Sequence, residues 1–338
     1  MNEKIRVALD AMGGDNAPDE IIKGAVDAVN EKSNIKVLLI GKSDLLEKKL
    51  ADYSYNKEQI EIINADEEIG CDEAPVMAIR KKKNSSIVVG MNLVKHGEAD
   101  AIVSAGSTGA ILVGGQVIVG RIPGVERPPL APIIPTMNGV SLLIDCGANV
   151  DARSSHLVQF AKMGSVYMEK IVGIKNPRVA IVNIGAEEEK GNALVKETFP
   201  LLKNCNDINF IGSIEAREIP NGAADVIVCE AFVGNVILKL YEGLANALVG
   251  KMKDELMKST RGKAGALLIK PTLKDIFKRF KASDYGGAPL LGLKGLVVKT
   301  HGNSKSVEVK NSIIQCVTFS EQRINETIKE LMENSKTD

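Results

Sequence analysis

Three segments carry residues whose types and spacing suit chemistry on an anion. Ser104-Ala105-Gly106-Ser107-Thr108-Gly109-Ala110 directly follows the apolar run Ala101 to Val103 and directly precedes Ile111-Leu112-Val113. The pattern reads as a strand end, a turn of small residues and a helix start with several free backbone N–H groups. Ser104, Gly106, Ser107, Thr108 and Gly109 therefore form a candidate phosphate cradle. Glycine admits close backbone approach, the hydroxyls add donors, and the helix N-terminus adds partial positive charge. The spacing is neither the GxGxxG fingerprint nor a P-loop, and a plain helix start after a tight turn has the same look. In the other two segments, Val182-Asn183-Ile184-Gly185 leads through three glutamates to Lys190, and Val228-Cys229-Glu230 leads to Asn235. Each donor stands where a strand gives way to a helix, and an ammonium or a carboxamide can hold phosphate or a developing oxyanion. The alternatives are a salt bridge from Lys190 to a neighbouring glutamate and a helix cap at Asn235.

Short apolar, mostly β-branched runs recur at residues 5–9, 37–40, 60–63, 101–103, 142–144, 179–184, 208–211, 226–228 and 296–298. Most are separated by segments of helical length and period, which predicts an α/β fold around a mostly parallel sheet. Ligands in such sheets sit beyond the carboxyl ends of the strands. That rule adds Asp10, Gly13, Gly14 and Asp15 after the first run, Asn149 after the fifth, Glu230 after the eighth and His301 after the last. Two carboxylates would repel phosphate directly, so Asp10 and Asp15 take a supporting role in which they orient donors. Asp15 or Asn16 can also cap the next helix, with Pro18 in its first turn.

The chain of 338 residues has 44% hydrophobic content and equal numbers of basic and acidic residues, 43 of each. It is globular, able to bury a large core, and its zero net charge gives no global case for nucleic acid. The cysteines at 71, 146, 205, 229 and 316 are widely spaced, with no CxxC pair. Neither a disulfide framework nor a zinc knuckle follows, no metal-ligand cluster stands out, and a reducing cytosol is the expected setting. Met1-Asn2-Glu3-Lys4 has no signal-type apolar core, and no uninterrupted apolar run approaches the roughly 18 residues of a spanning helix. No internal repeat or low-complexity linker divides the chain, which reads as a single domain over 1–338.

Arg80-Lys81-Lys82-Lys83 is either a solvated face or a docking patch for an acidic partner. Between Arg121 and Pro135, prolines at 123, 128, 129, 132 and 135 predict a stiff extended connection, a rim or lid carrying Arg121 and Arg127. A long apolar-striped helix is expected from Val236 to Met257, broken by Gly262, Gly265 and Pro271, with a new helix capped by Thr272 and Asp275. Residues 251–281 hold ten basic and three acidic side chains in a chain of zero net charge. A helical pair over 236–285 with a tip at Leu267, Leu268 and Ile269 could bury its stripe in a second copy or meet an anionic membrane surface. A final helix carries Ile313, Ile314, Val317, Ile324, Ile328 and Leu331, and the tail from Asn334 is expected to fray.

DAMGGDNAP, SAGSTGA, DCGANVDA, LVQFAKMG, NIGAEEEKGN, ADVIVCEAFVGNV and DYGGAPLLG occur in this order along nearly the whole chain. The series resembles the bacterial phosphate acyltransferases of phospholipid synthesis, the acyl-carrier-protein:phosphate transacylases. That resemblance implies a three-layer αβα sandwich related to isocitrate and isopropylmalate dehydrogenases and to phosphotransacetylases. It also implies a homodimer without a cofactor that moves a long-chain acyl group from acyl carrier protein to inorganic phosphate. The acyl phosphate would then pass to a membrane glycerol-3-phosphate acyltransferase, with the protein in the cytoplasm and peripherally at the inner face of the cell membrane. The family's catalytic lysine and asparagine correspond to Lys190 and Asn235. Departures from the family pattern fall at Glu230, Ser213, Ala216, Ser107 and Ser154. In such chemistry His301 is either a general acid for the leaving thiol or a structural residue near a helix starting at Ser304. Cys146 and Cys229 lie at strand ends without an adjacent histidine, and buried packing is the reading for both.

Overall fold

A computed structural model describes residues 4–279 and 285–334. Met1-Asn2-Glu3, Phe280, Lys281, Asp284 and the tail after Asn334 lie outside the described residues, as do the side chains of Ile276 and Phe277. The chain opens with β1 (Ile5–Asp10), α1 (Asp19–Glu31), β2 (Ile35–Gly41), α2 (Ser43–Leu50) and β3 (Ile60–Asn64). It continues with α3 (Pro75–Lys81), α4 (Ser86–Lys95), β4 (Ala101–Ser104) and α5 (Thr108–Gly114). Next come β5 (Ile133–Thr136), β6 (Gly139–Ile144), α6 (Ser154–Tyr167), β7 (Arg178–Asn183), α7 (Ala193–Lys203), β8 (Asn209–Glu215) and β9 (Val226–Val228). The remainder holds α8 (Ala231–Met257), α9 (Thr260–Arg279), β10 (Ala288–Leu290), β11 (Leu296–Lys299), α10 (Ser306–Glu321) and α11 (Ile324–Asn334). The fold divides into two compact units, one from residues 1–132, 162–176 and 283–338 and one from 133–161 and 177–282.

The first unit has a six-stranded sheet in the order β10-β11-β4-β1-β2-β3, parallel throughout except for β10. Val7, Leu9, Ile35, Leu39 and Ile102 are fully buried, which is why these strands read as unbroken apolar runs. Each such side chain contributes about 1.5–3 kcal/mol through burial. Helices α1 and α10 pack on each other and on the sheet, while α4 packs on β1, β2 and β4 and on α5. Pairing of Leu9 with Val103 and of Lys299 with Ser104 brings Asp10, Ser104 and Lys299 to one end of the sheet.

The second unit has a five-stranded sheet, β5-β6-β9-β7-β8, parallel except for β5. Leu143, Ala180, Ile214, Ile219 and Ile227 form its core, and Val233, Ile237 and Tyr241 of α8 pack against it. The α/β class with mostly parallel strands flanked by helices is as the apolar runs predict, with the strands divided between two sheets rather than gathered in one. The two antiparallel border strands are additions to that reading. Each contains a proline, Pro135 or Pro289, which hides a strand from pattern reading yet suits a sheet edge.

Three segments differ from expectation. The helix break falls at Lys258–Ser259 rather than at Gly262 to Pro271, and α9 runs through Pro271 to Arg279. Ser259 explains this, since its Oγ accepts from Gly262 N at 3.0 Å and its carbonyl from Lys263 N at 2.9 Å, a cap that starts α9 well before Thr272. The final helix is two helices, separated where Arg323 adopts φ 51°. The proline-rich stretch is no free lid. Backbone hydrogen bonds tie Ile122 to Gly292, Leu291 to Pro129, Ala131 to Pro289 and Lys294 to Gly120.

Helix α8 is long and apolar enough to cross a membrane, with a mean hydropathy of 1.2 over its most apolar window. Only 12% of that window is buried. Leu240, Leu244, Leu248 and Met252 succeed one another every four residues on one exposed face, and Leu267, Leu268 and Ile269 are exposed on α9.

Candidate active site

In the first unit the strand ends knit into one another. Asp10, fully buried, accepts from Ser104 Oγ at 2.6 Å and from Met12 N at 3.1 Å. Ser104 Oγ in turn accepts from Gly106 N at 3.0 Å. Gly13 belongs to the same packing, because a Cβ there would stand 2.3 Å from Asp10 Oδ2 and 2.7 Å from Gly106 N. Burial raises the Asp10 carboxyl above its ordinary value, with hydrogen bonds from Ser104, Ser86, Met12 and Gly13 pulling the other way. Asp15 N donates to Gly302 O at 2.7 Å beside Gly14, and the Asn16 amide donates to Asn303 O and Ser304 O. Neither Asp15 nor Asn16 caps α1, because the cap position falls on Pro18, whose side chain has no acceptor to offer.

The expected helix start at Thr108 is present, and Ser107 is its cap, accepting from Ala110 N at 3.4 Å. The row of amides is shorter than expected, since Gly106 N–H is taken by Ser104. The N–H groups of Ser107, Thr108 and Gly109 have no hydrogen-bond partner among the described residues. Gly109 packs against Pro75, whose Cγ would be 2.5 Å from an added Cβ. His301 is exposed, and its Nδ1 accepts from Asn303 N at 3.3 Å, which places the proton of the neutral ring on Nε2. The following helix begins at Ser306, two residues later than the sequence pattern suggests.

Three buried groups of this same end have no site role in the sequence reading. Lys299 is 9% exposed at the end of β11, and its ammonium donates to Ala105 O at 3.3 Å and to Thr300 O. Thr300 Oγ1 and Ser304 Oγ are buried with no hydrogen-bond partner among the described residues. The one sequence signal is a lysine closing an apolar strand, a position normally filled by another apolar residue.

In the second unit Asp145 is fully buried and accepts from Asn149 N at 2.8 Å, Asn149 Nδ2 at 2.7 Å and Ala148 N at 3.2 Å. Asn149 thus spends its amide on a carboxylate of its own loop. Glu230 caps α8, its two oxygens accepting from Phe232 N at 2.6 Å and Val233 N at 2.9 Å. This replaces the alternative of Asn235 as the cap. Asn235 lies one turn into the helix, exposed, with no side-chain hydrogen bond among the described residues. The helix start lies hard against the end of β6, since a Cβ on Gly234 would meet Asp145 O at 1.9 Å.

Lys190 makes the salt bridge that its neighbours offered, 2.8 Å to Glu187. That hydrogen bond and the charge of Glu187 raise its pKa, and Glu187 is lowered by the same contact. Both side chains are exposed, so the pair is screened and able to exchange for another anion. No hydrogen bond links Lys190 to Asn235 among the described residues. Burial pushes the thiols of Cys146 and Cys229 well up, so neither supplies a ready thiolate. Among the described residues no group of three or more His, Cys, Asp or Glu is placed to hold a metal.

The basic residues named for docking fare differently. Arg80, Lys81 and Arg127 are exposed. Lys82 is held by Glu73 Oε1 at 2.6 Å and Glu68 O at 2.7 Å, and Arg121 donates to Glu126 O, so these two are used locally.

Unpaired amides follow one strand, and an exposed ammonium and an exposed carboxamide follow two others, donors of the kind that can hold an oxyanion. Residues 5–327 match the family described as fatty acid synthesis protein. The phosphate acyltransferase of Alkaliphilus oremlandii (strain OhILAs) is 50% identical over 326 residues, 96% of this chain and 97% of its own. The chain belongs to this family of phosphate acyltransferases and is an acyltransferase. Among solved structures, a phosphotransacetylase from Streptococcus pyogenes superposes with a TM-score of 0.66 at 18% identity, covering 95% of each chain. A 4-hydroxythreonine-4-phosphate dehydrogenase from Klebsiella pneumoniae gives 0.50 at 15% identity, covering 94% of this chain and 99% of its own. The fold is therefore shared with phosphotransacylases and with a dehydrogenase.

Proposed function

We propose that this enzyme transfers a long-chain fatty acyl group from acyl carrier protein to inorganic phosphate. The near-full-length identity to a phosphate acyltransferase carries the reading. A phosphate oxygen attacks the thioester carbonyl carbon, a tetrahedral oxyanion forms, the C–S bond breaks and the thiolate leaves to be protonated. Phosphate is already a nucleophilic anion near neutral pH, so the protein has to position it and steady the oxyanion. The amides of Ser107, Thr108 and Gly109 donate to phosphate, with Asp10, Gly13, Gly14 and Asp15 shaping that end of the sheet. Lys190 trades Glu187 for phosphate or oxyanion charge, and Asn235 donates to the acyl oxygen. Glu230 and Asn149 hold the loops from which these groups act, and His301, in its protonated imidazolium form, gives its Nε2 proton to the leaving thiolate and is left neutral.

The apolar faces of α8 and α9 support a lipid-sized donor, a homodimer and peripheral membrane contact. Leu244 and its neighbours meet a second copy, while Leu267, Leu268 and Ile269 with surrounding cations touch an anionic bilayer. The product is an acyl phosphate for phospholipid synthesis, consumed by a membrane glycerol-3-phosphate acyltransferase at the cytoplasmic face. Arg80, Lys81 and Arg127 are the cations left to meet an acidic carrier protein.

Purified protein given palmitoyl carrier protein and phosphate is expected to release acyl phosphate, trapped as the hydroxamate, far faster than it does with acetyl-CoA. The resemblance to the Streptococcus pyogenes phosphotransacetylase favours the second reading, a small acyl-CoA donor. Preference for acetyl-CoA would establish that one, and no phosphate-dependent release from either donor would end both. Leu244→Glu is expected to give a monomer by light scattering. Leu268→Glu is expected to lose flotation with anionic liposomes, and unchanged flotation would remove the tip from the account.

A further inference from the structure

We infer that Lys299 is a positioning residue that, opposite Asp10 and Ser104, clamps the Ala105–Gly106 peptide and so sets the direction of the amides that follow it. The carbonyl of that peptide unit accepts from the Lys299 ammonium at 3.3 Å. Its N–H donates to Ser104 Oγ at 3.0 Å, and Ser104 donates in turn to Asp10 Oδ2 at 2.6 Å. The C=O and N–H of one trans peptide point in opposite directions, so the plane is held from both sides and its rotation breaks both contacts.

Both outer anchors are ionisable groups withdrawn from water, Asp10 fully buried and Lys299 nearly so. Burying an ammonium or a carboxyl group is costly unless it is hydrogen-bonded, which ties each to the geometry that satisfies it. The register explains how they come together. Asp10, Ser104 and Lys299 end three neighbouring parallel strands, β1, β4 and β11, at the same height. The next three amides, of Ser107, Thr108 and Gly109, are the ones without partners among the described residues. A neutral side chain at 299 leaves the carbonyl side unheld, and the loop then samples orientations that scatter those donors. This inference rests on the reading of that loop as the phosphate site, and two independent readouts separate them.

In Lys299→Met, deuterium exchange over the peptide 104–110 is expected to accelerate about tenfold. The KM for phosphate is expected to rise by about tenfold, with the KM for the acyl donor unchanged. Lys299→Arg is expected to restore part of both. Unchanged exchange in a folded Lys299→Met protein overturns the clamp. Faster exchange with an unchanged phosphate KM supports the clamp and overturns the placing of phosphate at this loop. If Lys299→Met does not fold, Ser104→Ala removes the opposite anchor with a smaller change. There too, unchanged exchange overturns the clamp, and faster exchange with an unchanged phosphate KM overturns only the placing of phosphate.

Discussion

Each unit has a fully buried aspartate at the end of a core strand, Asp10 as the last residue of β1 and Asp145 just after β6, and the two are used in different ways. Asp10 accepts from Ser104 of a neighbouring strand, so it couples separate loops, whereas Asp145 accepts from Ala148 and Asn149 of its own loop. The difference continues outward. The first unit offers backbone amides in a loop braced by buried charge, and the second offers exposed side chains, Lys190 and Asn235, on a firmly capped scaffold. Backbone donors have fixed direction and suit a symmetric anion of constant shape. Side-chain donors can follow charge as it moves from thioester to oxyanion.

If this division of labour holds, the largest losses come from the second unit. Lys190→Ala and Asn235→Ala should each lower single-turnover acyl phosphate formation by roughly 10²–10³, the usual cost of removing an oxyanion donor. Wild-type rates in folded variants would break the comparison. The first unit is tested by deleting an amide rather than a side chain. Thr108 holds the first helical position, where proline is tolerated, and Ser107 before it is already extended at ψ 116°. Thr108→Pro should therefore keep the fold, raise the phosphate KM about tenfold and leave the donor KM alone.

Asp10 sharpens the contrast through pH. Its folded-state carboxyl is raised above the ordinary 3.8 by burial, so between that value and the raised one the native state binds more proton than the unfolded chain. The stability it contributes is whole below about pH 3.8 and declines as pH rises through the raised value. Relative to wild type, Asp10→Asn should gain stability as pH rises across that window in urea titrations, and a constant difference would contradict the assignment. The smallest effect is expected at the α8 cap. Glu230→Ala should cost about 1 kcal/mol in urea unfolding, since it frees the amides of Phe232 and Val233.

The central strands built from plain apolar runs, such as β1, β4, β9 and β11, are legible in the sequence because they are buried on both faces, as are the helix start after Ser107 and the strand-end positions of Asp10, Lys190 and Asn235. What stays hidden depends on contacts distant in sequence. Nothing local says that Gly106 N–H is spent on Ser104, or that Lys299 folds its ammonium back onto a carbonyl 194 positions away. Glu230 reads as a substrate contact because a glutamate cap is less usual than the serine, threonine, aspartate or asparagine of the common rule. The start of α9 is misplaced by pattern because glycines and a proline outweigh one serine, Ser259, whose hydroxyl decides the matter.

The prolines in the two antiparallel border strands have a consequence for solubility. Pro135 removes an amide hydrogen from the outermost strand β5, so an incoming extended chain finds its zip of donors interrupted there, while the margin of β10 at Pro289 is already covered by residues 129–131. Misassembly by sheet extension is discouraged at those margins.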